Sequence, residues 1–504
     1  MREDAGQAKP SMRLATPTVP GSAAPGADTS VALPSLILNA TRERRARRWE
    51  RWGQITLGPR AGRLGLATLV LGTLLVVACA AAGPSVLVPR SAETFPNWEA
   101  GPLHLVATRI ITDPQTLGLA FSVLLGVMIL AYALVVAAVR TFSMRAIAIV
   151  VVALHVILLM SPPLQLTDLF NYLGYARLGA LHHLNPYTHV IKQEMFDPVY
   201  RLTSWHSLRS PYGQLFSAFT YPLALVSLPL AYWTLKITSV LLSLAFVGLV
   251  WHCARRLGRD PRFAVAFVAF NPVFLIYEVA GFHNDFFMLV PSMAAIALVL
   301  ARRDRSAGAV LMVAIAVKFT AVLLLPFLIL AVRDRPRQIR LLVGAGLAAI
   351  PLAVLIFALF GLSLPNLQQQ SSLLTDFSIP NVVGLLLHVG GGTPLLLKIF
   401  TVAVVVVVGY EFFTRRDWLN GAGWSTLALI ASLAWLVPWY IVWLLPLAAL
   451  GTSVRLRQIS AVLTVFLLFA FLPVTTKYMN DHNINPLNTR AGHASQNLQS
   501  KLAR

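Results

Sequence analysis

The sequence predicts an all-α, polytopic helical membrane protein, and three observations carry that prediction. Only 12% of its 504 residues are charged, about half the share found in soluble domains, while 57% are hydrophobic and the mean hydropathy is +0.69. Apolar runs such as Leu64–Ala82, Leu117–Ala138 and Leu341–Leu362 approach or exceed the ~20 residues that cross ~30 Å of hydrocarbon. The arginines fall in short clusters between those runs, the spacing expected of cytoplasmic loops. Helices follow because a lipid-exposed loop or open sheet would leave backbone groups unpaired.

The net charge of +21 would suit nucleic acid if it formed one patch. Its dispersal between apolar runs points to a lipid bilayer as the partner instead, with no nucleic acid. Residues 1–63 are Pro-, Ala- and Ser-rich and then read "RERRARRWERWG", which predicts a disordered, basic cytoplasmic tail ending in a membrane-facing helix. The first apolar run lies far from the N-terminus and lacks a small-residue cleavage pattern, so it is no secretory signal. Residues 64–474 form the transmembrane domain, and 475–504 a polar, flexible C-terminal tail. Cys79 and Cys253 lie in or at the end of apolar helices and suit buried small hydrophobes better than a disulfide.

The basic clusters serve as parity markers, since chain between two cytoplasmic clusters crosses an even number of times. They are Arg42–Arg63, Arg140/Arg145, Arg255–Arg262, Arg302–Arg305, Arg333–Arg340, Arg415/Arg416 and Arg455/Arg457, holding about 25 of the 41 Lys and Arg. Span length and parity give about 13 membrane helices. Between Arg145 and Arg255, the stretch "LQLTDLFNYLGYARLGALHHLNPYTHV" (Leu164–Val190) falls outside, directly after the apolar run Ala146–Met160. "GFHND" (Gly281–Asp285) and "VPWY" (Val437–Tyr440) fall at outer turns, and Ser363–Pro394 in an external loop. Tyr212–Leu230 is open between a crossing, a re-entrant helix and a surface helix. The interval Arg305–Arg333 has one long apolar run with Lys318 in its middle. Cytoplasmic markers on both flanks predict a hairpin bent at Lys318, with a first arm of ~11 residues, hence ~17 Å. Lys318 then sits deep, where a charge is a functional-site hypothesis by default.

Four polar groups thus converge on one face, and each suits more than one role. Asp168, or Thr167 before it, suits a helix cap; the carboxylate of Asp168 equally suits a general base. "NPY" (Asn185–Tyr187) is a turn signal, and Arg209 beside "SPYGQ" (Ser210–Gln214) is an anion site or a solvated loop. Lys318 suits a phosphate as a point charge, whereas snorkelling does not fit its depth. His283, Asn284 and Asp285 can cap a helix, ligate a metal or bind a hydroxylated substrate. No HxxxH or DxD pattern supplies convergent ligands, so no cofactor or metal is expected. Trp439 and Tyr440 are interfacial belt aromatics or a stacking surface for a sugar ring.

In their order, "TDLFNYLGYARLGALHHLNPY", "SPYGQLF", "NPVFLIYEVAGFHNDFFM", "AIAVKFTAVLLLPFLIL" and "WLVPWYIVWLLPLAAL" resemble the polyprenol-phosphate-mannose-dependent mannosyltransferases of actinobacteria and the wider glycosyltransferase family 87. All of these share the membrane-embedded GT-C fold. The likeness runs from about Met160 to Leu450. It implies a polyprenyl-phosphate-linked sugar donor, mannose first, and a glycan or glycolipid acceptor outside the cytoplasmic membrane. It further implies an inverting reaction in which Asp168 takes the acceptor proton and Lys318, with Arg209 second, stabilises the leaving phosphate. Substrate contacts are expected from Asn171, Tyr172, Tyr175, Arg177, Asn185, Tyr187, Tyr212, His283, Asn284, Asp285, Trp439 and Tyr440. Two departures stand out: the acid beside Thr167 has no second acid next to it, and Gln214 replaces a proline common in the resembling proteins.

A transporter or flippase of a lipid-linked or small polar substrate is the competing class, since interrupted helices line transport sites. Its mark would be an acid deep in the membrane opposite Lys318, whereas Glu278 and Asp285 are both expected near the outer end. A ligase moving a whole oligosaccharide differs only in the size of its donor.

Overall fold

The computed structural model describes residues 57–81, 98–99, 113–164, 168–366, 369, 371–414 and 417–503. Residues 1–56, with the basic "RERRARRWERWG" segment, lie outside them. The described residues contain helices and no strand, as the composition requires. The first helix, α1 (Pro59–Ala81), begins within the segment assigned to the tail. It is followed by α2 (Pro114–Ala138), α3 (Met144–Met160) and α4 (Asp168–Ala180). Then come α5 (Gln214–Thr220), α6 (Leu228–Arg256), α7 (Pro261–Ala269), α8 (Asp285–Leu300) and α9 (Asp304–Val317). The remainder are α10 (Leu325–Ala331), α11 (Arg335–Phe360), α12 (Ile379–Leu386), α13 (Pro394–Thr414), α14 (Trp418–Ser432), α15 (Leu445–Leu450), α16 (Val454–Ala470), α17 (Pro473–Asp481) and α18 (Arg490–Ala503).

Local sequence explains where several of them start. Asp113 accepts hydrogen bonds from the N–H groups of Gln115 and Thr116 with Pro114 at the first helical position, and Asp260 before Pro261 does the same for α7. Such Asp–Pro starts satisfy an orphan N–H and place the proline where none is needed.

Among the described residues, five helices are long and apolar enough to cross a bilayer: Pro59–Ala80, Pro114–Thr141, Leu228–Arg256, Arg335–Phe360 and Pro394–Thr414. A sixth forms if Val454–Ala470 and Pro473–Asp481, bent by 58°, count as one span. The other apolar helices are shorter, among them Met144–Met160, Asp285–Leu300, Phe319–Ala331 and Pro438–Leu450. α11 and α13 expose rows of apolar side chains, including Val354, Phe357, Val402 and Val405, a surface suited to lipid. Fully buried Phe246, Phe274 and Phe286 pack edge and face in the interior, and α9 meets α11 where Gly308 and Gly344 leave room for backbone on backbone.

The short helices are short because the chain breaks on purpose near one end of the bundle. After α7, Asn271 accepts from the Val273 N–H at 2.9 Å and donates to Thr464 Oγ1 at 3.0 Å, and the chain continues as a π-helical turn, Phe274–Val279. Lys318 adopts an extended conformation (φ −152°, ψ 115°) between α9 and a 3-10 segment, Phe319–Leu324. The expected bend is therefore at Lys318, though the first arm has 14 residues and not ~11, because the helix already starts at Asp304. Tyr212–Leu230 resolves into the seven-residue α5 and the 3-10 segment Tyr221–Leu225. The seven α-helical residues rise about 10 Å and the five 3-10 residues about 10 Å more, short of the ~30 Å that a straight crossing needs.

The segment expected to be a flexible tail is helical over Arg490–Ala503. α18 docks on two loops: Ser495 Oγ accepts from the Leu374 N–H at 2.7 Å, the Ser207 N–H donates to Leu502 O at 2.9 Å, and Leu502 packs with Leu208 and Leu373. Polar composition concealed an amphipathic spacing of Leu487, Leu498 and Leu502. The segments assigned by arginine parity to one side thus do lie together.

Candidate active site

Asp168 is the first residue of α4, where the helix dipole favours an anion. Its side chain is 14% exposed, and His283 Nδ1 lies 3.4 Å from its Oδ2. No hydrogen bond engages the carboxylate among the described residues, and it caps no backbone N–H there. Asp285 is the contrasting acid. Buried at the start of α8, it accepts a hydrogen bond from Lys318 Nζ at 2.7 Å and another from the indole N–H of Trp443. Lys318 lies over the rings of Trp443, 4.8 Å, and Tyr440, 5.3 Å, which themselves stack with centroids 4.3 Å apart.

The rest of the pocket is built by the turn between the π-helical segment and α8. The Asn284 N–H donates to the Tyr172 hydroxyl at 3.2 Å, tying the turn to α4. His283 stacks face to face on Trp439 with centroids 3.8 Å apart, and Tyr172 meets the edge of Tyr212 at 4.7 Å. Five separated segments thereby bring together Asp168, Tyr172, Tyr212, His283, Asn284, Asp285, Lys318, Trp439 and Tyr440.

Most of the other expected site residues are engaged away from Asp168, in the loop that covers α4 or on α5 and α11. Arg177 pairs with Asp197 at 2.8 Å, and His182 Nε2 approaches the same carboxylate at 2.8 Å. Burial pushes the Asp197 carboxyl up, but the hydrogen bonds from Arg177, His182 and the Val199 N–H outweigh it and hold the group below its usual value. Tyr175 donates to Leu208 O, Asn185 Nδ2 to Phe360 O, and the Tyr187 hydroxyl lies 2.8 Å from Ser217 Oγ. Asn171 Oδ1 accepts from the Ser204 N–H at 3.2 Å. Arg209 is exposed, with no contact to Lys318 among the described residues.

Sequence reasoning missed three side chains. Glu278 on the π-helical turn is wholly buried with no hydrogen-bond partner on either oxygen, and π turns recur at functional sites. Trp443 lies one helical turn beyond the noted "VPWY" pair. Lys236 is wholly buried in α6, donating to Ser161 O at 2.7 Å beneath Trp233 and Phe282. A lysine inside an apolar run was the signal that found Lys318, and it applied equally to Lys236.

An acid opposite Lys318 was the mark set for a transporter, and Asp285 supplies it, so geometry alone leaves both classes standing. Comparison with known proteins separates them. Residues 60–334 match the family described as alpha-(1->6)-mannopyranosyltransferase, N-terminal domain. The alpha-(1->6)-mannopyranosyltransferase A of Mycobacterium tuberculosis is 26% identical over 374 residues, 66% of this chain and 70% of that protein. Its namesake from Corynebacterium glutamicum is 27% identical over 186 residues, 35% of this chain and 37% of that protein. No solved structure matches the chain. The match takes in more than half of the sequence and includes Asp168, His283, Asp285 and Lys318. The chain therefore belongs to the alpha-(1->6)-mannopyranosyltransferase family, as a multi-pass membrane mannosyltransferase.

Proposed function

We propose that the protein transfers a mannosyl group from a polyprenyl phosphate to a hydroxyl of a glycan or glycolipid, at the outer face of the cytoplasmic membrane and with inversion. Asp168 is the general base. The observation that carries this reading is the unequal state of the two acids: Asp285 is held by Lys318 and Trp443, whereas Asp168 is partly exposed and engaged by no hydrogen bond among the described residues. A base must be free to accept a proton.

In the reaction, an acceptor hydroxyl oxygen attacks the anomeric carbon and its proton passes to Asp168. The bond from that carbon to the phosphate oxygen breaks, and its electron pair leaves with the polyprenyl phosphate. Lys318 has three N–H donors. One can stay on Asp285 while another meets the charge that develops on the phosphate, the kind of preorganised cation that lowers such a barrier. Asp285 then serves to hold the ammonium in place.

An open cleft with mostly apolar walls supports the lipid carrier. It is lined by Met288, Leu289, Met293, Leu324 and Leu429, and Trp443 is also one of its walls. The same indole that binds Asp285 therefore separates the ionic pair from a space suited to isoprenoid units. The sequence-level logic agrees, since an outer site needs a donor that the membrane itself can carry. Membranes containing the protein are expected to transfer labelled mannose from polyprenyl-phosphate mannose to acceptor, but not from nucleotide-linked mannose when the lipid donor is absent. Transfer from the nucleotide sugar alone would overturn the donor assignment.

A further inference from the structure

His283 is held more firmly than a substrate contact requires. The ring is 1% exposed, and neither nitrogen has a hydrogen-bond partner among the described residues, an uncommon state for a buried polar group. One face is already covered by Trp439, with ring planes 12° apart. The backbone that launches it is strained: Phe282 has φ 53°, a left-handed conformation that bulky residues rarely adopt and that clusters at functional sites. Phe282 is fixed in turn by Lys236, whose ammonium lies 4.6 Å from its ring. Gly281 completes the clamp, since a Cβ there would come within 2.6 Å of His283 Nε2. What this machinery aims is Nδ1, at 3.4 Å from Asp168 Oδ2. Catalytic hydrogen bonds are often long before substrate arrives and tighten in the complex.

We infer that His283 is the positioning residue for Asp168: its Nδ1–H holds Oδ2, fixes the rotation of the carboxylate, and leaves Oδ1 to take the acceptor proton. His283 keeps its own proton throughout, and the acceptor proton ends on Asp168. The inference rests on Asp168 being the base. It departs from the sequence expectation that His283 binds the sugar.

The test uses the full-length protein in membranes, measuring kcat and the acceptor KM. His283→Phe keeps the stack on Trp439 and removes both nitrogens, while His283→Asn returns an amide N–H near the place of Nδ1. His283→Phe is expected to lower kcat about 10- to 100-fold with the acceptor KM nearly unchanged, and His283→Asn to recover most of that loss. In an Asp168→Asn background, His283→Phe should cost nothing further, because coupled residues are not additive. A rise in KM at unchanged kcat, or full activity in His283→Phe, would overturn the inference, as would Phe and Asn variants that are equally impaired. A full additional loss in the Asp168→Asn background would do the same. If Asp168→Asn alone retains full activity, it is the base assignment that has failed, and the two failures are told apart.

Discussion

A lysine in the membrane interior is tolerable only with a partner, and Lys318 has Asp285 at 2.7 Å. Removing one member of a buried pair leaves an uncompensated charge and costs about 3–5 kcal/mol, whereas removing both together is often close to neutral. Lys318→Met should therefore lower the thermal stability of the purified protein. Adding Asp285→Asn should restore stability without restoring transfer, because the phosphate would still lack its cation. Recovery of activity in the double variant would show that Lys318 does not serve the leaving group. At this scale the sequence was legible where a charge interrupts an apolar run, as at Lys318, and where an acid follows a span, as at Asp168. It was silent on partner choice. That Asp285 would pair with Lys318, 33 positions on, and His283 stack on Trp439, 156 positions on, depends on which turns the bundle brings together.

At the scale of elements, the site is made by interruptions. The π-helical turn Phe274–Val279, the extended Lys318 and the 3-10 segment Pro438–Trp443 each end a helix early and deliver side chains to one pocket. Arginine parity led to the expected turns at Gly281–Asp285 and Val437–Tyr440 and to the bend at Lys318, because the cost of placing charges in lipid constrains chain direction. Parity carries no information on a π turn, which is why Glu278 was not read as a site residue. The loop over α4 is braced differently, by Arg177 and His182 on Asp197. Because the Asp197 carboxyl is held below its usual value, its contribution to stability is complete above the unfolded value of about 3.9 and is lost as pH falls through the lower folded value. Asp197→Asn should lower Tm at pH 7, and the difference should shrink once the medium is acid enough to protonate the wild-type carboxyl. A Tm difference that stays constant into acid would show that the brace is not ionic.

Over the whole molecule, composition alone predicted the helical membrane class, because hydrocarbon forbids most alternatives. The C-terminal segment shows the opposite case: Leu498 and Leu502 set α18 against the loops around Leu208 and Leu373, while Leu487 packs with Leu374 and Ala434, and only the surface they meet makes them significant. Those loops, the turn carrying His283 and the "VPWY" turn share one end of the bundle, and an apolar cleft opens beside Trp443. The account's central claim is that the free carboxylate at this end performs the proton transfer. It is tested most directly by mannosyl transfer in membranes holding equal amounts of folded wild type and Asp168→Asn, a change that keeps size and removes the base. The account predicts a loss of about 10²- to 10⁴-fold, and equal transfer by the two proteins would contradict it.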